Sequence, residues 1–143
     1  HTLIAAGAEV DAADAAGLTP LMCAVGLGNE AIIRLLLDAG AKLELRDQEG
    51  FTALMFAANR GQTAATEILL AAGAVVNAAA SDGSTPIMFA AQHGHEETVK
   101  TLLAAGADPL VTGHHGLSAI GFAKQNSHLS TLALLLEAAR ESG

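Results

Sequence analysis

Six histidines and a single cysteine are the side chains of this 143-residue chain best suited to metal or nucleophilic chemistry. His95–Glu96 begins like a zinc-protease helix, where two histidines four residues apart hold the metal on one helix face and the glutamate acts as base. Four residues on stands Val99, so the second ligand is missing. His93 and His95 lie at a helix turn, and His114 and His115 at the following loop tip. A zinc site needs about three or four converging ligands, and no cysteine or paired carboxylate accompanies these histidines. No metal is expected. Gly26-Leu27-Gly28-Asn29-Glu30-Ala31 fits a loose dinucleotide pattern, but a capped helix precedes it where a strand is required. Gly116-Leu117-Ser118-Ala119-Ile120 lacks the last glycine of a nucleophile elbow, and no phosphate-binding loop is present. Nothing cationic flanks Cys23, so a small buried core residue is expected there rather than a reactive thiol. No catalytic residue and no cofactor is expected, and the chain does not read as an enzyme.

The elements that hold these residues repeat. Gly17, Gly50, Gly83 and Gly116 are spaced 33 apart, and neighbouring positions keep the same period. Thr19, Thr52, Thr85 and Ser118 align, as do Ala24, Ala57, Ala90 and Ala123. So do Leu36, Leu69, Leu102 and Leu135. Thr19 followed by Pro20 is a helix start: the hydroxyl accepts a free N–H, and proline has none to leave unpaired. A short apolar helix then runs to Gly28, which breaks it. A second helix is predicted over Asn29–Ala39, with Ile32, Ile33, Leu35, Leu36 and Leu37 as its apolar face. From Gly40 to Gly50 the chain is a loop, with Asp47 and Gly50 as turn formers. One such unit cannot bury its apolar face alone, so neighbours must stack.

Thr85-Pro86-Ile87-Met88-Phe89-Ala90-Ala91, then Gly94-His95, then Leu102-Leu103-Ala104-Ala105-Gly106-Ala107-Asp108 resembles the ankyrin repeat. The resemblance covers nearly the whole chain as one domain: a partial copy at residues 1–13, copies at 14–46, 47–79 and 80–112, and a capping copy at 113–143. It implies an all-α solenoid of stacked helix-turn-helix units with protruding β-hairpin-like loops. Met22, Met55 and Met88 stand where the family commonly has a histidine thought to tie neighbouring loops; packing is expected to substitute, since thioethers adapt to irregular gaps. His95 and His128 share the column after the glycine, where the family often carries a structural histidine. Copy four departs most: Gly113, Gly121 and Ser127 replace pattern residues, and a helix over His128–Arg140 ends on charged residues, as a solvent-facing cap should.

The composition fits this plan. Hydrophobic residues are 51% and charged ones 15%, too apolar for a disordered chain. Aromatics are 3%, with no Trp or Tyr, which disfavours a large β-sandwich. Seven basic against 15 acidic residues leave a net charge of −8. That balance disfavours nucleic acid and anionic membranes and favours a partner with a basic surface. The longest apolar run is too short to span a bilayer. No signal peptide is visible and the first residue is His1, so the chain is expected to start after a processed segment or at an internal boundary. Cytoplasmic placement is the default, and export follows if a leader precedes His1.

In ankyrin stacks the loop tips and first helices line a concave face where partners dock. Carried over by column, copy one supplies Ala15, Ala16, Leu18, Gly26 and Leu27; copy two supplies Gln48, Glu49, Phe51, Asn59 and Arg60. Copy three supplies Ser81, Asp82, Ser84, Gln92 and His93; copy four supplies His114, His115, Leu117, Gln125 and Asn126. These columns vary while the packing columns do not, which is how a contact surface differs from a core. Leu18, Phe51 and Leu117 share the column after the loop glycine; exposed, they form an apolar strip with a polar rim, and otherwise they tuck against neighbouring loops. The resemblance implies a protein-binding module, expected as a monomer, and the net charge of −8 points to a partner surface that is basic or mixed apolar and basic. The Ala-rich, low-charge repeats look like bacterial ankyrin proteins, in which shielding or inhibiting a partner enzyme occurs. The alternative is an ankyrin segment of a larger enzyme, effector or channel.

Overall fold

The computed structural model describes residues 13–114 and 116–142, the last two by backbone only. The partial copy at the N-terminus, apart from Ala13, and His115 lie outside the described residues. Eight helices are described: α1 (Pro20–Leu27), α2 (Glu30–Asp38), α3 (Ala53–Arg60), α4 (Thr63–Ala71), α5 (Pro86–Gln92), α6 (Glu96–Ala104), α7 (Ala119–Gln125) and α8 (Leu129–Ser142). No strand occurs among the described residues. The helices form four antiparallel pairs. First helices α1, α3, α5 and α7 pack on one another in one layer, and second helices α2, α4, α6 and α8 in the other.

Local chemistry fixes each unit. Thr19 and Thr52 cap α1 and α3, accepting from the N–H of Met22 and Met55 at 3.3 and 3.5 Å. The methionine sulfur answers: the N–H groups of Thr19, Thr52 and Thr85 donate to Sδ of Met22, Met55 and Met88 at 3.5, 3.4 and 3.4 Å. The sulfur thus bonds within its own unit, a role beyond the packing expected in place of loop-tying. A thioether is a weak acceptor, and here it serves as the returning half of a capping box. Gly28 and Gly61 end α1 and α3 in the left-handed region. Ser127 takes the same conformation, with φ 60°, in the last copy. The predicted second helix of the first unit loses one residue at each end, because Asn29 and Ala39 act as its caps. The last helix begins one residue later than expected and runs two residues further.

The core lies between the layers and between successive pairs. Leu36, Leu69, Leu102 and Leu135 are all buried, as are Leu21, Leu54 and Ile87. Ala57, Ala58, Ala90 and Ala91 are fully buried on the first helices, where small side chains let neighbouring units pack closely; Val25 holds the Ala58 column in the first pair and is equally buried. That recurrence accounts for the abundance of alanine. Thr63 Oγ1 and Thr98 Oγ1, 2.9 Å apart, join α4 to α6.

Cys23 corrects an expectation, because it is exposed. Its column is half-buried in the other copies, at Phe56, Phe89 and Phe122. Phe51 lies edge-on to Phe56 and to Phe89, with ring centroids 5.8 and 5.3 Å away, so an aromatic from the preceding unit helps to cover Phe89. The described chain begins at Ala13, and no described unit precedes α1 to cover Cys23. Ile32 and Leu35 of α2 are 37% and 47% exposed. Their counterparts Ala65 and Thr98, in the Ile32 column, are buried.

Candidate interaction face

The loops before the first helices are tight turns stacked on one another. In each, the residue four before the cap-side position donates back across the turn: Asp14 N–H to Leu18 O, Asp47 to Phe51, Ala80 to Ser84 and Gly113 to Leu117, at 2.8–3.2 Å. Neighbouring tips are joined by one backbone bond apiece: Gln48 N–H to Ala16 O, Ser81 to Glu49 and His114 to Asp82, at 3.0, 3.3 and 2.8 Å. Asp14 and Asp47 add Asx turns, each carboxylate accepting two N–H groups, from Ala16 and Leu18 and from Glu49 and Phe51. Arg46 Nη1 donates to Gly50 O and Ala79 O, binding its own loop to the next. These loops keep a hairpin-like form without strand pairing of the regular kind.

The opposite ends of the first helices are tied by a different column. His95 Nε2 lies 3.1 Å from Asn59 O, and His128 Nε2 lies 3.0 Å from Gln92 O. Gln62 Nε2 reaches Gly26 O at 3.4 Å. Each side chain thus pairs with a carbonyl near the C-terminus of the preceding first helix, where intrahelical partners run out. The glycine opposite is obligatory on two counts. Gly61 has φ +67°, and a Cβ there would lie 2.6 Å from His95 Nδ1. Gly94 stands in the same relation to His128. His93 Nε2 is 2.9 Å from Asn59 Oδ1, and its ring lies 5.7 Å from that of His95. Desolvation, then the imidazoles of His95 and His128, hold the His93 pKa below its ordinary 6.5. Among the described residues no group of three His, Cys, Asp or Glu side chains is placed to hold a metal ion.

The residues singled out from the sequence fall into two sets. Gln48, Glu49, Ser81, Asp82 and His114 are exposed at the loop tips, with Ala15 and Ala16. Leu27, Arg60, Gln92, His93, Gln125 and Asn126 are exposed at the far ends of the first helices, Leu27 to 81%, while Asn59 and Gly26 are half-buried. Leu18, Phe51 and Leu117 are half-buried and Ser84 is buried. Leu18 packs on the main core, and Phe51 on Met55, Ala78 and Ala80. Leu117 Cδ2 sits 3.0 Å from where a Cβ on Gly121 would lie. The column after the loop glycine thus leans on its own and neighbouring units. Sequence reasoning passed over Arg46 as a loop clamp and Lys124 at the end of α7. The Asp47-to-Gly50 turn signal was visible; no sequence signal marks Arg46.

An open groove of about 810 Å³ lies elsewhere, between α6, α8 and the loop after α6, lined by Lys100, Leu103, Asp108, Leu110, Leu134 and Glu137 among others. Asn77 spans its floor, donating to Gly106 O and accepting from Asp108 N–H. No described helix is long and apolar enough to cross a membrane.

A family model described as ankyrin repeats (3 copies) matches the chain over residues 1–80, 40–113 and 76–142. A search of curated proteins returns no match.

Proposed function

The chain belongs to the ankyrin-repeat family, and on that premise we propose that it binds a partner protein through the face formed by its loop tips and first helices. Ankyrin repeats are a protein–protein interaction module, generally without enzymatic activity. One contrast carries the choice of face. Where the chain repeats itself the side chains are buried, as in the Leu36, Leu69, Leu102, Leu135 column. Where it varies they are exposed, as in the Leu27, Arg60, His93, Asn126 column. Packing constrains residue type from copy to copy, and a surface shaped to a partner does not. Acidic groups crowd the tips, at Asp14, Asp47, Glu49 and Asp82, so the partner surface over them is basic or mixed apolar and basic.

The test uses the purified chain as bait to capture its natural partner, followed by titration of that partner. Replacing Glu49, Gln92 and His93 together by alanine is expected to weaken binding by more than about 1 kcal/mol. Replacing Glu67 and Lys100 on the second helices is expected to change nothing. Equal affinity in all three proteins would remove this face as the binding surface.

A further inference from the structure

The groove between α6, α8 and the loop after α6 is a place that the repeat leaves unfilled. In the earlier units Gly40, Gly73 or Gly106, each at positive φ, follows the second helix and turns the chain into a loop. Successive loops are tied together by one column. Glu44 Oε2 accepts from Val75 N–H at 2.9 Å. Asn77, 33 residues on, accepts from Asp108 N–H at 3.0 Å and donates to Gly106 O at 3.3 Å. The next residue in that column is Leu110, whose side chain has no polar atom to offer and which is 54% exposed. The loop it would meet is missing too. Helix α8 carries Ala139 in the glycine column and continues to Ser142, so no described loop turns back beside residues 106–110. The walls of the open space combine two chemistries. Leu103, Leu110 and Leu134 are apolar, and Asp108 and Glu137 add carboxylates. Lys100 also lines the groove, but its ammonium is held 3.3 Å from Glu97. One oxygen of Asp108 accepts from Leu110 N–H, and neither Asp108 nor Glu137 has a cationic partner among the described residues.

We propose that this groove binds a short non-helical segment of a partner protein in which lysine or arginine stands beside apolar residues. The segment takes the place that a following loop would hold. Its apolar side chains cover Leu103, Leu110 and Leu134, and its cations meet Asp108 and Glu137. The groove lies on the second-helix layer and is a second surface, independent of the face formed by the loop tips and first helices.

The probe is a fluorescein-labelled peptide of alternating lysine and leucine, titrated against the full chain by anisotropy, beside a lysine–serine and a glutamate–leucine peptide. The lysine–leucine peptide is expected to bind most tightly. Asp108→Asn with Glu137→Gln is expected to weaken it about tenfold, and Leu110→Ser alone by a similar factor. Asparagine keeps an acceptor for Leu110 N–H, and Leu110 is exposed, so both variants retain the core. Glu49→Gln with Glu67→Gln removes the same charge elsewhere and is expected to leave the peptide's affinity unchanged, as is the Glu49, Gln92, His93 variant. Asp108→Asn with Glu137→Lys is expected to shift the preference toward the glutamate–leucine peptide, a gain that misfolding could not produce. The proposal is overturned if the lysine–serine peptide binds equally well, if the groove variants bind like the parent, or if the control pair loses as much. It is also overturned if sedimentation shows that the parent self-associates and Leu110→Ser is a monomer, which would make the groove an interface between copies of the chain.

Discussion

At the scale of single residues, hydrogen bonds tie His93, His95 and His128 to the preceding unit, and the desolvation of His93 leaves a measurable trace in pH. His93 has a lowered pKa in the folded chain, so between that value and 6.5 the unfolded chain binds more protons. Stability from this residue is therefore complete above 6.5 and is lost as pH falls through 6.5 toward the folded value. Urea denaturation is expected to show a falling midpoint from about pH 7.5 to about pH 5.5, with a shallower fall in His93→Gln. An identical pH profile in that variant would show that His93 titrates freely. The glycines offer a sharper contrast. Gly61→Ala places a methyl group 2.6 Å from the His95 ring at a positive φ, and is expected to cost about 2 kcal/mol or more. Gly26→Ala lies within α1 with no atom within 4 Å of the new Cβ, and is expected to stabilise by about 0.5–1 kcal/mol. Equal effects at the two positions, read as midpoint shifts, would contradict the His95 packing.

At the scale of elements, α1 and α3 begin with a threonine and a methionine that cap one another, α5 keeps the sulfur half of that exchange, and α7 begins with Ser118 and Gly121 instead. Met55→Leu keeps the volume but removes the acceptor for the buried Thr52 N–H. It is expected to destabilise by about 1–3 kcal/mol, the cost of a buried donor left unpaired, whereas a packing role alone predicts almost none. Leu69→Ala, at a site with 0% exposure, is expected to cost about 2–5 kcal/mol by opening a cavity between α4 and its neighbours. Denaturant midpoints decide both. These elements were legible from the sequence because their determinants are local and recur: Thr19 and Pro20 start a helix, Gly28 stops it, and Leu36 returns every 33 residues. The sulfur bonds were not legible, since methionine is ordinarily read by volume and nothing in its spacing reveals an acceptor role. The half-burial of Leu18, Phe51 and Leu117 was open for a related reason. Their column follows a turn glycine, and only the stacking of turns decides how far each side chain folds back. Cys23 was misread because its column, filled elsewhere by Phe56, Phe89 and Phe122, suggests a core site. Whether it is covered depends on a unit before α1.

At the scale of the whole molecule, every helix pair leans only on the pairs beside it, so stability is a sum of units and the interfaces between them. The two ends of this sum differ. In the last pair, Lys124 takes the column of Val25, Ala58 and Ala91, which are fully buried, and closes that end with a charge. In the first described pair, Cys23, Ile32 and Leu35 are exposed. Interior pairs α3–α4 and α5–α6 have neighbours on both sides and carry the fully buried alanines Ala57, Ala58, Ala90 and Ala91. Opening should therefore begin at the flanks and reach the interior last. Two measurements on the native chain follow. Cys23 is expected to react completely with a thiol reagent without denaturant, because no unfolding step precedes access. Amide hydrogen exchange is expected to be slowest in α3 through α6, approaching the rate of global unfolding, and faster in α1, α7 and α8. The two observations constrain each other. A protected Cys23 together with slow exchange in α1 would mean that the face bearing Ile32 and Leu35 is covered in solution, and that the array is longer on that side than its described pairs.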